Sequence, residues 1–393
     1  MSKKLFQKLT SWQRNFIRTV SALPVKRTSL LTIPNPHGDE IEKFRDLPKA
    51  LLSWQNKQLQ YWHFSAFLKN ASDRPFSLQL GFEERHFNFN IPYFFPKLFS
   101  SYFIVTDPFN SEASKTFQHW HQYIPFAFAK GFTSEEKFYL KIGSWCAYQQ
   151  ESGAFLISAS HAQYSIHLEL LPIKPLCYHG QNGYFQKDTT ALDASYFCSQ
   201  PRMRVSGKFL IEDKLHDVHG LAFLLHEKES AFLSKKSDFF FIQFHNNQEL
   251  LLNLFYDEEQ SLSYFSAGTW IDGDSSVTHL ISSDIKCETL EYWVSPKTKG
   301  RYPIRRRFYF ESLGLEIEIK PQVLNQQIYL KPFPVGVCWQ GAITVEGKLK
   351  ELNQNGLGFM KLANQNHETS SILPSLRSKS PVLFTSKSAS LHL

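Results

Sequence analysis

Residues 218–230 read VHGLAFLLHEKES. An apolar run ends in two adjacent ionisable residues, His226 and Glu227. The pair suggests the zinc-protease motif H-E-x-x-H, but position 230 is Ser230, so the second histidine that motif needs is missing. Read as a strand, the stretch alternates. Phe223, Leu225 and Glu227 share one face, and Ala222, Leu224 and His226 share the other. His226 and Glu227 are then either a catalytic pair or polar residues that hold a barrel end or a domain interface through hydrogen bonds.

The same alternation recurs on both sides of this stretch. "YWHFSAF" (61–67) and "FSLQLGF" (76–82) flank the turn-rich "LKNASDRP" and predict a hairpin. "FLISAS" (155–160) and "SIHLELL" (165–171) predict another. "SGKFLIED" (206–213), "FFFIQFH" (239–245), "ELLLNLFYD" (249–257) and "SLSYFSAGTWI" (261–271) predict a meander with tight turns, one at Asn246–Asn247. "GLEIEIKP" (314–321), "QQIYLKP" (326–332) and "GAITVEGKL" (341–349) continue it. Strands at this spacing predict an all-β fold, and there are too many for one small barrel. Two tandem antiparallel barrels are the economical arrangement, placed at 39–195 and 196–362.

Composition agrees. The chain has 393 residues, 42% hydrophobic and 15% aromatic with 36 Phe, enough for a sizeable core rich in strand-forming side chains. The net charge of +7 is local. Residues 1–38 carry seven Lys and Arg and no acid, and the remainder balances at 36 basic against 36 acidic residues. No body-wide basic field for nucleic acid is present. Leu5, Leu9, Trp12, Phe16 and Val20 lie on one face of a predicted helix with Lys4, Lys8, Arg14 and Arg18 largely off it. Such an arm suits peripheral membrane contact through residues 3–20, a targeting peptide, or packing on its own domain. The expected setting is cytoplasmic or peripheral to a membrane, with a targeting peptide as the alternative. Residues 363–393 are Ser-rich and predict a disordered tail. The five Cys are widely spaced and predict free thiols, not a zinc site. With no P-loop, Rossmann fingerprint or G-x-S-x-G, no cofactor or metal is expected.

Several segments, in order, resemble one family. These are "QYWHFSAFL", "KPLCYHGQNGYFQK" (174–187), "SYFCSQPRMRVSG" (195–207), "YWVSPKTKGRYPIRRRF" (292–308) and "CWQGAITVEG" (338–347). Together with 218–230 they resemble the lipocalin-like carotenoid 1,2-hydratase (hydroxyneurosporene synthase) and AttH-type proteins. The resemblance implies two lipocalin-like β-barrels in tandem and a hydratase or cyclase-type lyase acting on an isoprenoid. It also shows departures. Where the family has acids, this chain has Leu225, Gln340 and Lys361.

Hydrating an alkene needs a carboxylic acid kept protonated by an apolar site and a second group to handle water. Glu227, with His226, is the candidate left for that chemistry. Trp62, Phe64, Phe223, Trp293, Trp339, Gln340 and His179 are the candidate ligand-binding residues. With three acidic positions changed, the expected function is binding of a hydrophobic small molecule, an isoprenoid or lipid, without hydratase activity. The alternatives are the lyase itself and a structural or interaction protein. Two further motifs have ordinary readings. "HWH" puts His119 and His121 on one strand face as polar surface, and Arg301, Arg305, Arg306 and Arg307 read as a solvated edge strand.

Overall fold

The computed structural model describes residues 59–363 apart from 87–96, 110–116, 124–130, 134–136, 162–163, 188–193, 212, 230–236, 258, 260 and 331–335. The N-terminal arm (1–38) and all of the tail beyond 363 lie outside the described residues. Every long element is a strand. The first thirteen are β1 (Leu59–Asn70), β2 (Pro75–His86), β3 (Lys97–Thr106), β4 (Phe117–Tyr123), β5 (Gly131–Thr133), β6 (Tyr139–Ile142) and β7 (Trp145–Gln149), followed by β8 (Phe155–His161), β9 (Tyr164–Pro172), β10 (Cys177–Tyr178), β11 (Tyr184–Gln186), β12 (Ala194–Ile211) and β13 (Lys214–Glu229). They form one antiparallel sheet in the order β4-β3-β2-β1-β13-β12-β9-β8-β7-β6-β5, with β10 and β11 on β12.

The second sheet holds β14 (Asp238–Phe244), β15 (Glu249–Leu254), β16 (Ala267–Ile271), β17 (Val277–Ile281), β18 (Lys286–Val294) and β19 (Arg301–Phe310), then β20 (Leu315–Pro321), β21 (Gln327–Leu330), β22 (Gly336–Leu349), β23 (Leu352–Asn353) and β24 (Gly356–Ala363). Its order is β17-β16-β15-β14-β24-β22-β20-β19-β18. The fold is all-β, two tandem, curled, near-closed antiparallel sheets. In the first, Phe103 on β3 meets Trp145 on β7 edge-on at 6.0 Å. In the second, Phe240 on β14 meets Phe308 on β19 at 5.3 Å.

The division between the sheets differs from the sequence expectation of 195/196. Both β12 and β13 belong to the first sheet, so the change of sheet falls between Glu229 and Asp238. The reason is a long-range pairing. β13 runs beside β1 over its full length, from Leu59↔Glu229 to Asn70↔Val218, while β12 covers its other edge. Gly220 permits this close approach, since a Cβ there would stand 1.9 Å from the Phe67 carbonyl oxygen. The predicted hairpins β1–β2, β8–β9 and β14–β15 are present. The β14–β15 turn uses Asn247 at φ 65, a left-handed conformation that Asn tolerates. Of 261–271, only 267–271 is a strand.

Alternation gives each strand two destinations. Inward residues of the first sheet, Trp62, Phe64, Leu80, Leu168 and Leu224 among them, fill one core. Phe240, Leu252, Phe308, Ile317 and Trp339 belong to a second. A third lies between the sheets and contains Phe67, Phe197, Phe223, Leu225, Phe241 and Phe359. Phe223 stacks on Phe241 at 4.0 Å and Phe67 on Phe359 at 4.7 Å. Such pairs contribute about 0.5–1.5 kcal/mol each beyond their buried area.

Charges are buried here too. Glu249 of the second sheet receives Lys174 Nζ at 2.8 Å and Arg202 Nε. Lys174 also reaches the Asn247 and Asp272 carbonyls at 2.6 and 2.7 Å, and Arg202 those of Phe244 and Gln248 at 2.8 and 3.1 Å. Within the predicted solvated stretch at 301–307, Arg301 is exposed and Arg305 and Arg307 half-buried, but Arg306 is corrected in the same way. β19 lies between β18 and β20, and Arg306 points inward to Asp238 and Tyr256, 2.5 Å from each. Removing one partner of a buried ion pair leaves the other uncompensated, at a cost of about 3–5 kcal/mol. Lys174→Met should therefore lower the unfolding free energy measured in urea by about that amount. A loss below about 1 kcal/mol, the range of an exposed pair, would show that the clamp is not structural.

Candidate functional site

His226 and Glu227 point to opposite sides of the first sheet, as alternation requires. His226 lies on the inward face, stacked on Trp62 at 4.5 Å with 7° between the rings, and its Nδ1 is 3.0 Å from the Tyr61 carbonyl oxygen. Glu227 lies on the outward face, continuing the row of Phe223 and Leu225 that packs between the sheets. The two neighbours in sequence do not form one catalytic unit.

The row continues one step further, to Glu229. Lys187 Nζ bridges the two carboxylates, 2.6 Å from Glu227 Oε1 and 2.6 Å from Glu229 Oε1. Ser195 donates to Glu227 Oε1 at 2.5 Å, and the Tyr61 hydroxyl donates to Glu227 Oε2. Glu229 Oε2 is buried and has no hydrogen-bond partner among the described residues. These contacts separate two otherwise similar acids. Burial pushes Glu227 up, but Lys187 and the Ser195 and Tyr61 hydroxyls outweigh it and hold its carboxyl below the usual range. Burial also raises Glu229, and with the repulsion of Glu227 it prevails over Lys187, leaving this carboxyl above the usual range. Pairs of acids pushed apart in this way are suited to separate acid and base roles.

Two more groups from the first sheet stand beside the pair. His63 is the Cα partner of Leu225 on the neighbouring strand. Its Nδ1 meets the Tyr102 hydroxyl and its Nε2 lies 2.7 Å from Ser65 Oγ. Burial, helped by Lys361, lowers the His63 imidazole to about 3, so it is neutral. The second sheet supplies Gln340, which donates to Gln79 Oε1 at 2.6 Å and hydrogen-bonds Tyr102. Lys361 is the Cα partner of Gln340, exposed, and within electrostatic reach of Glu229 and His63. All three positions where the chain departs from the acidic pattern, Leu225, Gln340 and Lys361, thus meet at one place between the sheets.

The remaining candidates are dispersed. Trp62 and Phe64 are packed in the first core and Trp339 in the second, its Nε1 bonded to the Leu324 carbonyl at 2.7 Å. Trp293 lies on β18 against Tyr302. Phe223 and Gln340 do reach the inter-sheet face. His179 is fully buried between the sheets, with Nδ1 3.0 Å from Thr269 Oγ1 and Nε2 2.9 Å from Ser199 Oγ, so both ring nitrogens are occupied. His119 and His121 lie on β4. Lys187, Ser195, Tyr61, His63, Tyr102 and Glu229 were missed in the sequence. The period of two that placed Glu227 beside Leu225 also reaches Glu229, but nothing local announced Lys187. Two open grooves of about 480 and 440 Å³ lie over Thr344–Gly347 and over Val205 and Leu221, and neither touches these residues.

The sequence profile of the AttH-like family matches residues 41–365. Among solved structures, a protein classed as AttH from Nitrosomonas europaea superposes with a TM-score of 0.71 at 20% identity, covering 81% of this chain and 96% of that one. Kievitone hydratase from Nectria haematococca superposes with a TM-score of 0.61 at 10% identity, covering 81% and 93%. At these identities the structural likeness speaks for the fold. No curated protein matches.

His179, like His63, is held by burial at about 3, well below its ordinary 6.5. The unfolded chain then takes up a proton first as pH falls, so each histidine contributes stability above pH 6.5 that is lost towards pH 3. In His179→Gln the loss of unfolding free energy between pH 6 and 4 should be shallower than in the wild type by about 1.4 kcal/mol per pH unit. Comparing the two proteins cancels Glu229 and Glu249, whose upward shifts act in the opposite sense. Parallel pH profiles in urea denaturation would contradict the neutral, buried state of His179.

Proposed function

The chain belongs to the AttH-like family, and on that premise we propose that it binds an apolar small molecule, an isoprenoid or lipid, on the face between its two sheets. The carrying observation is the juxtaposition of an aromatic wall with a polar cluster that has capacity left over. Phe239 and Phe265, partly exposed at the edge of the inter-sheet core that holds Phe197, Phe223 and Phe359, supply apolar surface. Glu229 Oε2 is a buried acceptor, or donor when protonated, without a partner among the described residues. Buried polar groups are normally satisfied, so one that is not calls for a partner such as a water, an ion or a ligand group. The exposed Lys361 gives this face a side open to water. Apolar surface with a few convergent polar groups is the usual make-up of a small-molecule site. The interiors of the sheets fit the role less well, because Trp62, Phe64 and Trp339 are packed into their cores.

A lyase of the hydratase type is the second reading, favoured by the opposite shifts of Glu227 and Glu229. Hydrating an alkene would proceed with Glu229 giving its proton to carbon and water capturing the resulting cation. Glu227 would take the proton that water releases, and Lys187, between the two carboxylates, would pass a proton back to Glu229, so that both acids return to their starting states. The solved kievitone hydratase shares the fold, which makes this chemistry worth testing without deciding it.

Organic extraction of natively purified protein followed by mass spectrometry should yield an apolar molecule in near-stoichiometric amount. Recovery of none from several expression hosts would remove the binding reading. Incubation of purified protein with isoprenoid alkenes in ¹⁸O-water tests the second reading. Labelled alcohol should form, and Glu229→Gln should slow it by about 10²–10⁴-fold, the usual worth of a general acid. Undiminished turnover in that variant would reject Glu229 as the proton donor.

A further inference from the structure

The chemistry of Lys361 carries the binding reading further. Alternation along β24 puts Phe359 and Lys361 on the face between the sheets, while Met360 and Leu362 enter the second core. Lys361 is exposed, whereas its pairing neighbour Gln340 is 5% exposed, so the ammonium stands where the buried face meets water. No hydrogen bond or ion pair engages it among the described residues. The other lysine of the site is committed, since Lys187 is buried between Glu227 and Glu229. Across Gln340, the Gln79 side chain is 1% exposed and its Nε2 is a donor without a partner among the described residues. The face therefore holds an uncommitted cation and an uncommitted buried donor on either side of Gln340.

The contacts agree. Lys187 Nζ lies 2.6 Å from both Glu227 and Glu229, whereas Lys361 makes no hydrogen bond or ion pair among the described residues and stands exposed at the mouth of the apolar face. One such ammonium suits a single negative charge. A diphosphate would need several cations and would also meet the neighbouring carboxylates.

We propose that the ligand of this face is an amphiphile with one carboxylate, whose apolar body lies on the partly exposed Phe239, the cross-strand partner of Lys361, and whose carboxylate is taken by Lys361. This rests on the binding reading above and narrows it to acidic ligands.

The test uses the delipidated full chain and two probes, the fluorescent long-chain polyene cis-parinaric acid and its methyl ester, titrated at pH 7.5. The wild type should bind the acid about tenfold more tightly than the ester. Lys361→Glu should abolish or invert that preference, and Lys361→Arg should retain it. Because residue 361 is exposed, neither substitution disturbs a core. Equal binding of acid and ester by the wild type, or a preference that survives in Lys361→Glu, would overturn the carboxylate assignment and leave the binding site standing. Failure of both probes to bind the wild type would overturn the assignment together with the reading beneath it.

Discussion

The C-terminal half of strand β13, Ala222–Glu229, is covered on both faces, and the rest of the molecule is arranged around that constraint. Its inward side chains, Ala222 and Leu224, complete the core of the first sheet, and its outward ones, Phe223 and Leu225, seal that sheet against the second. A strand buried on both sides has no solvent face on which to leave polar groups. At its C-terminal end the sequence nevertheless places His226, Glu227, Lys228 and Glu229, all buried. Each needs compensation. Glu227 and Glu229 are compensated by Lys187, which the β11 segment brings across β12 to the outward face. The candidate site is a consequence of that need: two carboxylates, one lysine and two hydroxyls assembled where the apolar contact between the sheets gives out.

The second buried cluster, at Glu249, has a different character. Lys174 and Arg202 satisfy that carboxylate and also reach four carbonyl oxygens contributed by the second sheet and its turns, so all three Lys174 donors and those of Arg202 Nε and Nη2 are used within the protein. This is a registration device, which locks one sheet on the other. The Glu227–Glu229 cluster retains an unused carboxylate oxygen, and an exposed lysine faces it. That difference in satisfaction, not burial or charge as such, separates the candidate site from the clamp.

Much of the fold was legible because strand alternation is local. The hairpins at β1–β2, β8–β9 and β14–β15 and the two-faced reading of 218–227 needed only a period of two and turn residues. The change of sheet was not legible, because it depends on β1 pairing with a strand about 150 residues away, and no local pattern carries that information. Buried charge misled for a related reason. Arg306 looked solvated among its neighbours Arg305 and Arg307, although the period through Tyr302, Ile304, Phe308 and Phe310 places it inward. At the site, Glu227 and Gln340 were within reach of sequence reasoning, whereas Lys187, Tyr61 and Tyr102 become functional candidates only once distant strands meet. Trp62, Phe64 and Trp339 illustrate the converse, since aromatic residues on strands serve packed cores as readily as ligands.

The central claim is that a ligand occupies the face between the sheets and not the inside of either. The most direct test is a crystal structure of the chain soaked with a long-chain carboxylic acid. The account predicts density along Phe239 and Phe265, with polar contacts to Glu229 or Tyr61 and the acid end at Lys361. Density within either sheet, against Trp62 and Phe64 or against Trp339, with an unoccupied inter-sheet face, would contradict it.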